Sequence, residues 1–170
     1  MEERVYEDSR LLGVVTRAIV LFNQNELFLI ENNLSERCIC ARFVRYMEKA
    51  LEEHFIYGYD VDVEYNRGDG GIDSNPKMLG GKLIIVDLIV HKRGYNNGYD
   101  NLICIEMKKS SSGRDIKSDK DRLKKMVTPY MAYQYQAGFM ILIDQSKRRN
   151  LYGMRIESEY YRSQPKTYLF

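Results

Sequence analysis

Three charged residues sit where a folded chain rarely puts charge. Asp87 lies inside the run Lys82-Leu-Ile-Ile-Val-Asp87-Leu-Ile-Val-His91, and Glu106 and Lys108 lie inside Leu102-Ile-Cys-Ile-Glu106-Met-Lys108-Lys109. Both runs are short, nearly unbroken and rich in β-branched residues, the signature of strands buried on both faces. A carboxylate in such a strand is costly unless a cation side chain or a metal ion neutralises it. Glu106 and Lys108, two apart, share one face of their strand, with Ile105 and Met107 on the other. Antiparallel pairing of the two strands then brings Asp87 within reach of Glu106, so that two acids and an amine converge. Two carboxylates and a backbone carbonyl suit Mg²⁺, or Mn²⁺ as its substitute, which keeps waters and completes its shell with substrate phosphate. Such an ion lowers the pKa of a bound water and stabilises charge on phosphorus and on the leaving oxygen. Lys108 would orient or deprotonate the attacking water and balance charge at phosphate.

The elements that must hold these residues follow from periodicity. Leu11, Leu12, Val15, Ile19 and Phe22 recur at helical spacing and predict a packing helix over 4–25. A second helix over 35–54 buries Ile39, Phe43, Tyr46, Met47, Ala50 and Leu51. Glu36 shares a face with Cys40, Phe43 and Met47, so it points inward from the head of an apolar stripe. The tetrapeptide Asn33-Leu-Ser-Glu36 also fits a capping box, in which Glu36 bonds back to the backbone. Tyr59, Val61, Val63 and Tyr65 alternate with Asp60, Asp62, Glu64 and Asn66, a strand with one wet face. Residues 67–81 read as a glycine-rich loop, and with no Lys-Ser or Lys-Thr after it this is not a P-loop. Asn97-Gly98 marks a hairpin between the charged strands, Ser118 caps a helix ending at Val127, and two further strands are predicted over 137–143 and 151–157. His54 and His91 fall at element ends with structural or surface roles. Tyr133-Gln134-Tyr135 reads as packing or, through Gln134, as a neighbour of the site.

At 170 residues a single domain is expected, long enough to bury its own core. The net charge of +2 is unevenly spread: residues 1–80 carry 9 Lys/Arg against 15 Asp/Glu, and residues 81–170 carry 17 against 9. The basic half contains the charged strands, which suits a polyanion beside the site. Lys109, Arg114, Lys117, Lys120 and Lys124 are candidate contacts to a nucleic-acid backbone, the alternative for the helical ones being a solvated face. Cys38, Cys40 and Cys104 are an odd set, and Cys38 and Cys40 diverge on a helix. Reduced thiols in a cytoplasmic protein are expected rather than a structural zinc. The first thirty residues offer neither a basic n-region nor an uninterrupted apolar span, so neither a signal peptide nor a membrane helix is expected.

The order helix, three strands, helix, strand, with Asp87 on the second strand and Glu106-Met107-Lys108 on the third, resembles the PD-(D/E)xK nuclease superfamily. The resemblance spans roughly residues 35–145, with Glu36 on the preceding helix in support. Val86 stands where the family's name has proline, a position that supplies no ligand. The resemblance implies an α/β, restriction-endonuclease-like fold: a central mixed β-sheet flanked by helices, an αβββαβ core, and here an extra N-terminal helix. It implies a Mg²⁺-dependent endodeoxyribonuclease with Asp87, Glu106 and the Met107 backbone carbonyl as metal ligands. Lys108 is then the catalytic amine, and Glu36 touches a metal through water or recruits a second ion. DNA is the implied substrate, with RNA as the alternative polymer, and a homodimer or a helicase or recognition partner is expected. The rival reading is a catalytically inactive nucleic-acid- or protein-binding module of the same fold, motivated by Val86 and the near-neutral charge.

Overall fold

The apolar runs without a wet face become the middle of a sheet. A computed structural model describes residues 5–66, 76–94, 100–110, 116–129, 131, 133–145 and 153–163. In chain order they form α1 (Asp8–Asn25), a short α2 (Leu27–Glu31), α3 (Glu36–Glu53), β1 (Asp60–Val63), β2 (Met78–Leu79), β3 (Lys82–Leu83), β4 (Leu88–His91), β5 (Asn101–Lys109), α4 (Ile116–Val127), β6 (Ala137–Asp144) and β7 (Gly153–Tyr161). Five strands make one mixed sheet in the order β1-β4-β5-β6-β7. Within it β5 and β6 run parallel; the other neighbours are antiparallel. A parallel pair needs a crossover rather than a tight turn, and α4 supplies it.

Alternation along the central strands sends side chains to two separate clusters. Ile103, Ile105, Met107, Phe139 and Ile141 pack with α1 and α3, against residues such as Val14, Phe22, Phe43 and Met47. Cys104, Met140 and Leu142 pack instead with Leu123, Met126 and Val127 of α4. Helices therefore cover both sheet faces. The two long helices on one face meet through Phe22, edge-on to Phe43 at 5.9 Å and to Tyr46 at 5.6 Å, the offset geometry that ring quadrupoles favour.

Several predicted boundaries are redrawn. The run Lys82–His91 is not one strand: 82–83 pair with 78–79 in a small separate hairpin, residues 84–87 are irregular, and β4 starts at Leu88. Gly80 and Gly81, at φ of 59° and 75°, make the tight turn of that hairpin inside what reads as loop. Asp87 therefore sits at a bend rather than within a core strand. Apolar runs do not report where pairing stops, and here the backbone leaves one ladder after Leu83 and joins the next at Leu88. The strand read over 59–66 keeps ladder pairing only at 60–63. In α4, Ser118 lies in the first turn rather than at the cap, because the helix begins at Ile116. The final strand extends to Tyr161, into residues that are uninformative in sequence. The Asn97-Gly98 turn lies outside the described residues, and β4 and β5 on either side of it pair antiparallel.

The second cluster holds an unusual cation. Lys77 is 2% exposed, its Nζ donates to the Tyr135 hydroxyl at 2.8 Å, and it lies 5.3–5.5 Å from the ring centroids of Tyr65, Tyr133 and Tyr135. Tyr133 and Tyr135 are thus packing residues, here around an amine. Burial pushes the ammonium from its ordinary 10.5 down to about 8, against the pull of three ring faces. In that case the folded state releases a proton that the unfolded state still holds, so stability rises as pH climbs past about 8. Relative to a Lys77→Met variant, which has nothing to titrate there, the wild type should gain about 1 kcal/mol between pH values of about 7 and 9 in urea unfolding. A constant difference would mean that the rings hold the amine at its ordinary value.

Candidate functional site

The site is built on the far end of β5. Glu106 and Lys108 leave the strand on the α4 face, as their spacing predicts, and are 1% and 8% exposed. The β4–β5 register pairs Leu88 with Ile105; one step beyond it, Asp87 comes opposite Glu106. The bend at Asp87 is tied down from three sides. Its Oδ2 accepts the Met107 N–H at 2.7 Å, and its carbonyl accepts the Glu64 N–H at 3.1 Å and the Cys40 thiol at 3.2 Å. Residues on β1's end, α3 and β5 therefore aim one carboxylate.

Glu36 arrives from the opposite face. Ser35 is the helix cap, its hydroxyl accepting the Cys38 N–H at 3.2 Å, so the capping box through Asn33 is not formed. Glu36, at the first helical position, reaches across to β5 instead: Oε1 accepts the Lys109 N–H at 3.0 Å, and Oε2 lies 3.9 Å from Lys108 Nζ. The inward-pointing alternative is the one realised. Together Glu36, Cys40, Glu64, Asp87, Lys108 and Lys109 line a cleft of about 440 Å³.

Two residues of α4 complete the cluster. Asp119 is 6% exposed, with Oδ2 3.4 Å from Lys108 Nζ and Oδ1 hydrogen-bonded by the Arg122 guanidinium. Arg122 Nε stands 2.7 Å from Glu106 Oε1, yet neither atom has an aligned hydrogen bond. Sequence reasoning selected neither Asp119 nor Arg122 as a site residue. The available signal was that Asp119 heads the stripe Asp119, Leu123, Met126, Val127, the same pattern that singled out Glu36.

Charge in the cluster is poorly balanced around Glu106. Burial pushes its pKa well above the usual carboxylate range, the Asp87 charge adds to this, and Arg122 opposes it. Burial also raises Asp87, while the Met107 N–H and Lys108 pull it down. The two carboxyls are close enough for a hydrogen bond between them to lower one acid and raise the other. The Asp87 charge and burial together raise Glu106 against the pull of Arg122, and the donors of both acids are hard oxygens. That fits a divalent cation. The Met107 N–H faces Asp87, and the C=O of an extended residue leaves the strand on the same edge as its N–H, so the Met107 carbonyl points to the β4 side of β5. Among the described residues no three His, Cys, Asp or Glu side chains form a metal-binding group, so an ion here would rest on Asp87, Glu106 and main-chain or water oxygens.

The candidate nucleic-acid contacts divide. Lys109 is on the cleft rim, its Nζ held by Asn33 Oδ1 at 2.8 Å. Lys120 pairs with Glu157 at 3.3 Å, and Lys124 with Asp121 at 3.6 Å, above the ring of Tyr160. Lys117 lines a separate groove beside Arg122. Arg114 lies outside the described residues. His91 is a core residue, 2.9 Å from Asp62, which also binds Arg93. Cys38 is exposed, Cys40 and Cys104 are buried, and all three are free thiols.

Fold and site define an α/β protein with a mixed five-stranded sheet, helices on both faces, and a buried acid–amine cluster at one sheet end. The chain matches no family model, no curated protein and no solved structure. Among the described residues no helix is long and apolar enough to cross a membrane.

Proposed function

We propose that the chain is a metal-dependent nuclease that hydrolyses DNA phosphodiester bonds, with a restriction-endonuclease-like core. The observation that carries this reading is the meeting of Asp87, Glu106 and Lys108 at one end of β5, with Glu36 opposite them. Asp87, Glu106 and the Met107 carbonyl hold Mg²⁺, or Mn²⁺ in its place. When bound, the ion supplies an acidified water and offsets charge on the phosphate. Lys108 is steadied by Asp119 and Glu36, so its ammonium is fixed toward the cleft to position the attacking water and the scissile phosphate. Glu36 adds a negative charge at the rim that suits a water of the metal's outer sphere. A cytoplasmic protein that works as a homodimer or beside a helicase or recognition partner fits this reading.

One observation favours the rival. Glu106 already faces Arg122, and Lys108 already faces Asp119, so the cluster has internal counter-charges of the kind an inactive binding module retains. Titration with Mn²⁺ in a calorimeter separates the two. The nuclease reading expects heat for Mn²⁺ that Asp87→Asn removes, with metal-dependent nicking of supercoiled plasmid. Protein that takes up no Mn²⁺ and cuts neither DNA nor RNA is the module.

A further inference from the structure

We propose that the groove between the β2–β3 hairpin and α4 binds the DNA backbone, and that Arg122 makes binding there depend on the metal site. This rests on the nuclease reading and extends it to the route by which substrate arrives. The groove, of about 570 Å³, is lined by Lys82, Lys117, Arg122 and Lys125 together with the acid Asp121, and that acid is engaged by Lys124. Lys117 and Lys125 are eight residues apart on α4, about 12 Å along its axis. One phosphate cannot span that distance, whereas a polymer of phosphates can. Cations strung along a groove beside a hydrolytic site match a nucleic-acid strand in charge and in shape.

Arg122 belongs to both places. Its side chain is 26% exposed and lines the groove, while its Nε rests against Glu106 and its terminal nitrogen on Asp119. Glu106 Oε1 cannot present itself to a divalent ion and keep a guanidinium 2.7 Å away. The arriving ion also repels the guanidinium at close range in a poorly hydrated place. The solvent-facing side of Arg122 is the groove, and there its planar fork fits a phosphate. The ion at Glu106 thus hands Arg122 to the DNA, and by linkage DNA bound to Arg122 frees Glu106 for the ion. Without metal, Arg122 stays on Glu106, and the groove offers only its lysines.

The test is anisotropy of a labelled DNA duplex titrated with the whole chain, in EDTA and in Ca²⁺, beside calorimetry of Ca²⁺ alone. Wild type should bind about tenfold more tightly with Ca²⁺. Glu106→Gln should bind tightly in EDTA already and ignore Ca²⁺. Arg122→Gln should keep the Ca²⁺ heat, bind weakly under both conditions and show no enhancement; Arg122→Lys should restore only part of it. Lys117→Glu with Lys125→Glu should weaken binding about tenfold in both buffers and preserve the enhancement. An enhancement that persists in Arg122→Gln, or groove reversals without effect, overturns the inference. Calcium heat in the wild type without any enhancement overturns it while leaving the nuclease reading standing. Absence of heat for both Ca²⁺ and Mn²⁺ sinks that reading itself.

Discussion

Lys108→Ala is expected to lower Mg²⁺-dependent nicking of supercoiled plasmid by about 10²–10³-fold, with the metal still bound. The amine is 8% exposed and is held between Asp119 and Glu36, so it is preorganised where negative charge develops rather than swinging in from solvent. Preorganised positive charge in a water-poor site is where electrostatic stabilisation is largest, which is why one side chain carries so much of the rate. Lys108→Arg should not rescue, since a planar fork cannot occupy the place of a compact ammonium. Truncation leaves Asp119 with one partner fewer, so thermal unfolding of the variant belongs beside the assay. A double variant with Asp119→Asn keeps the comparison clean. Undiminished nicking by folded Lys108→Ala would place the chemistry elsewhere.

The second expectation concerns stability and has an unusual sign. Glu106→Gln should stabilise the protein in EDTA at pH 8, where most buried polar substitutions destabilise. Glu106 is raised well above its ordinary 4.5, first by burial and then by Asp87. A carboxyl raised on folding contributes stability that is fully present below about 4.5 and is lost as pH rises through the folded value. Asp87 is raised too and acts in the same direction. At pH 8 the metal-free wild type therefore holds two carboxyls whose ionisation burial opposes, and every tenfold weakening of a carboxylic acid on folding costs about 1.4 kcal/mol once the group is ionised. The amide removes one of them at nearly constant shape, though Arg122 then keeps only Asp119. In urea unfolding the variant's advantage should shrink steadily toward pH 4.5. Saturating Mn²⁺ should reverse the order by stabilising the wild type alone. A variant weaker than wild type at pH 8 in EDTA would mean that Arg122 already neutralises Glu106 fully, which is the electrostatics of the inactive module.

Asp87, Glu106, Lys108 and Glu36 were legible in the sequence because each breaks a pattern. Three interrupt apolar runs and one heads an apolar helical stripe, and burial makes such interruptions expensive enough to be informative. The same reasoning placed β5 and β6, whose runs have no wet face. It failed over the first half of the Lys82–His91 run, where Leu83 and Ile85 are exposed and Asp87 lies at a bend, since apolar content fixes neither burial nor pairing residue by residue. The small hairpin at 78–83 was hidden inside a glycine-rich stretch, where two-residue strands leave no periodicity to count. Asp119 and Arg122 lay in a helix whose charges look like a solvated face; only the angular position of Asp119 above Leu123 and Met126 marks it out. Lys77 carried no signal at all, because the tyrosines that enclose it come from sequence positions up to 58 residues away.

Residue order alone determined which side chains are too costly to bury without compensation and which face of β5 carries them, because a two-residue period is a property of any extended chain. Tertiary structure decided what compensates them. Whether Glu106 meets an arginine, a second carboxyl or an ion depends on the crossover that lays α4 over the sheet and on the bend that turns Asp87 toward β5. Those are long-range placements, and electrostatic balance depends on distances in space that no local spacing encodes.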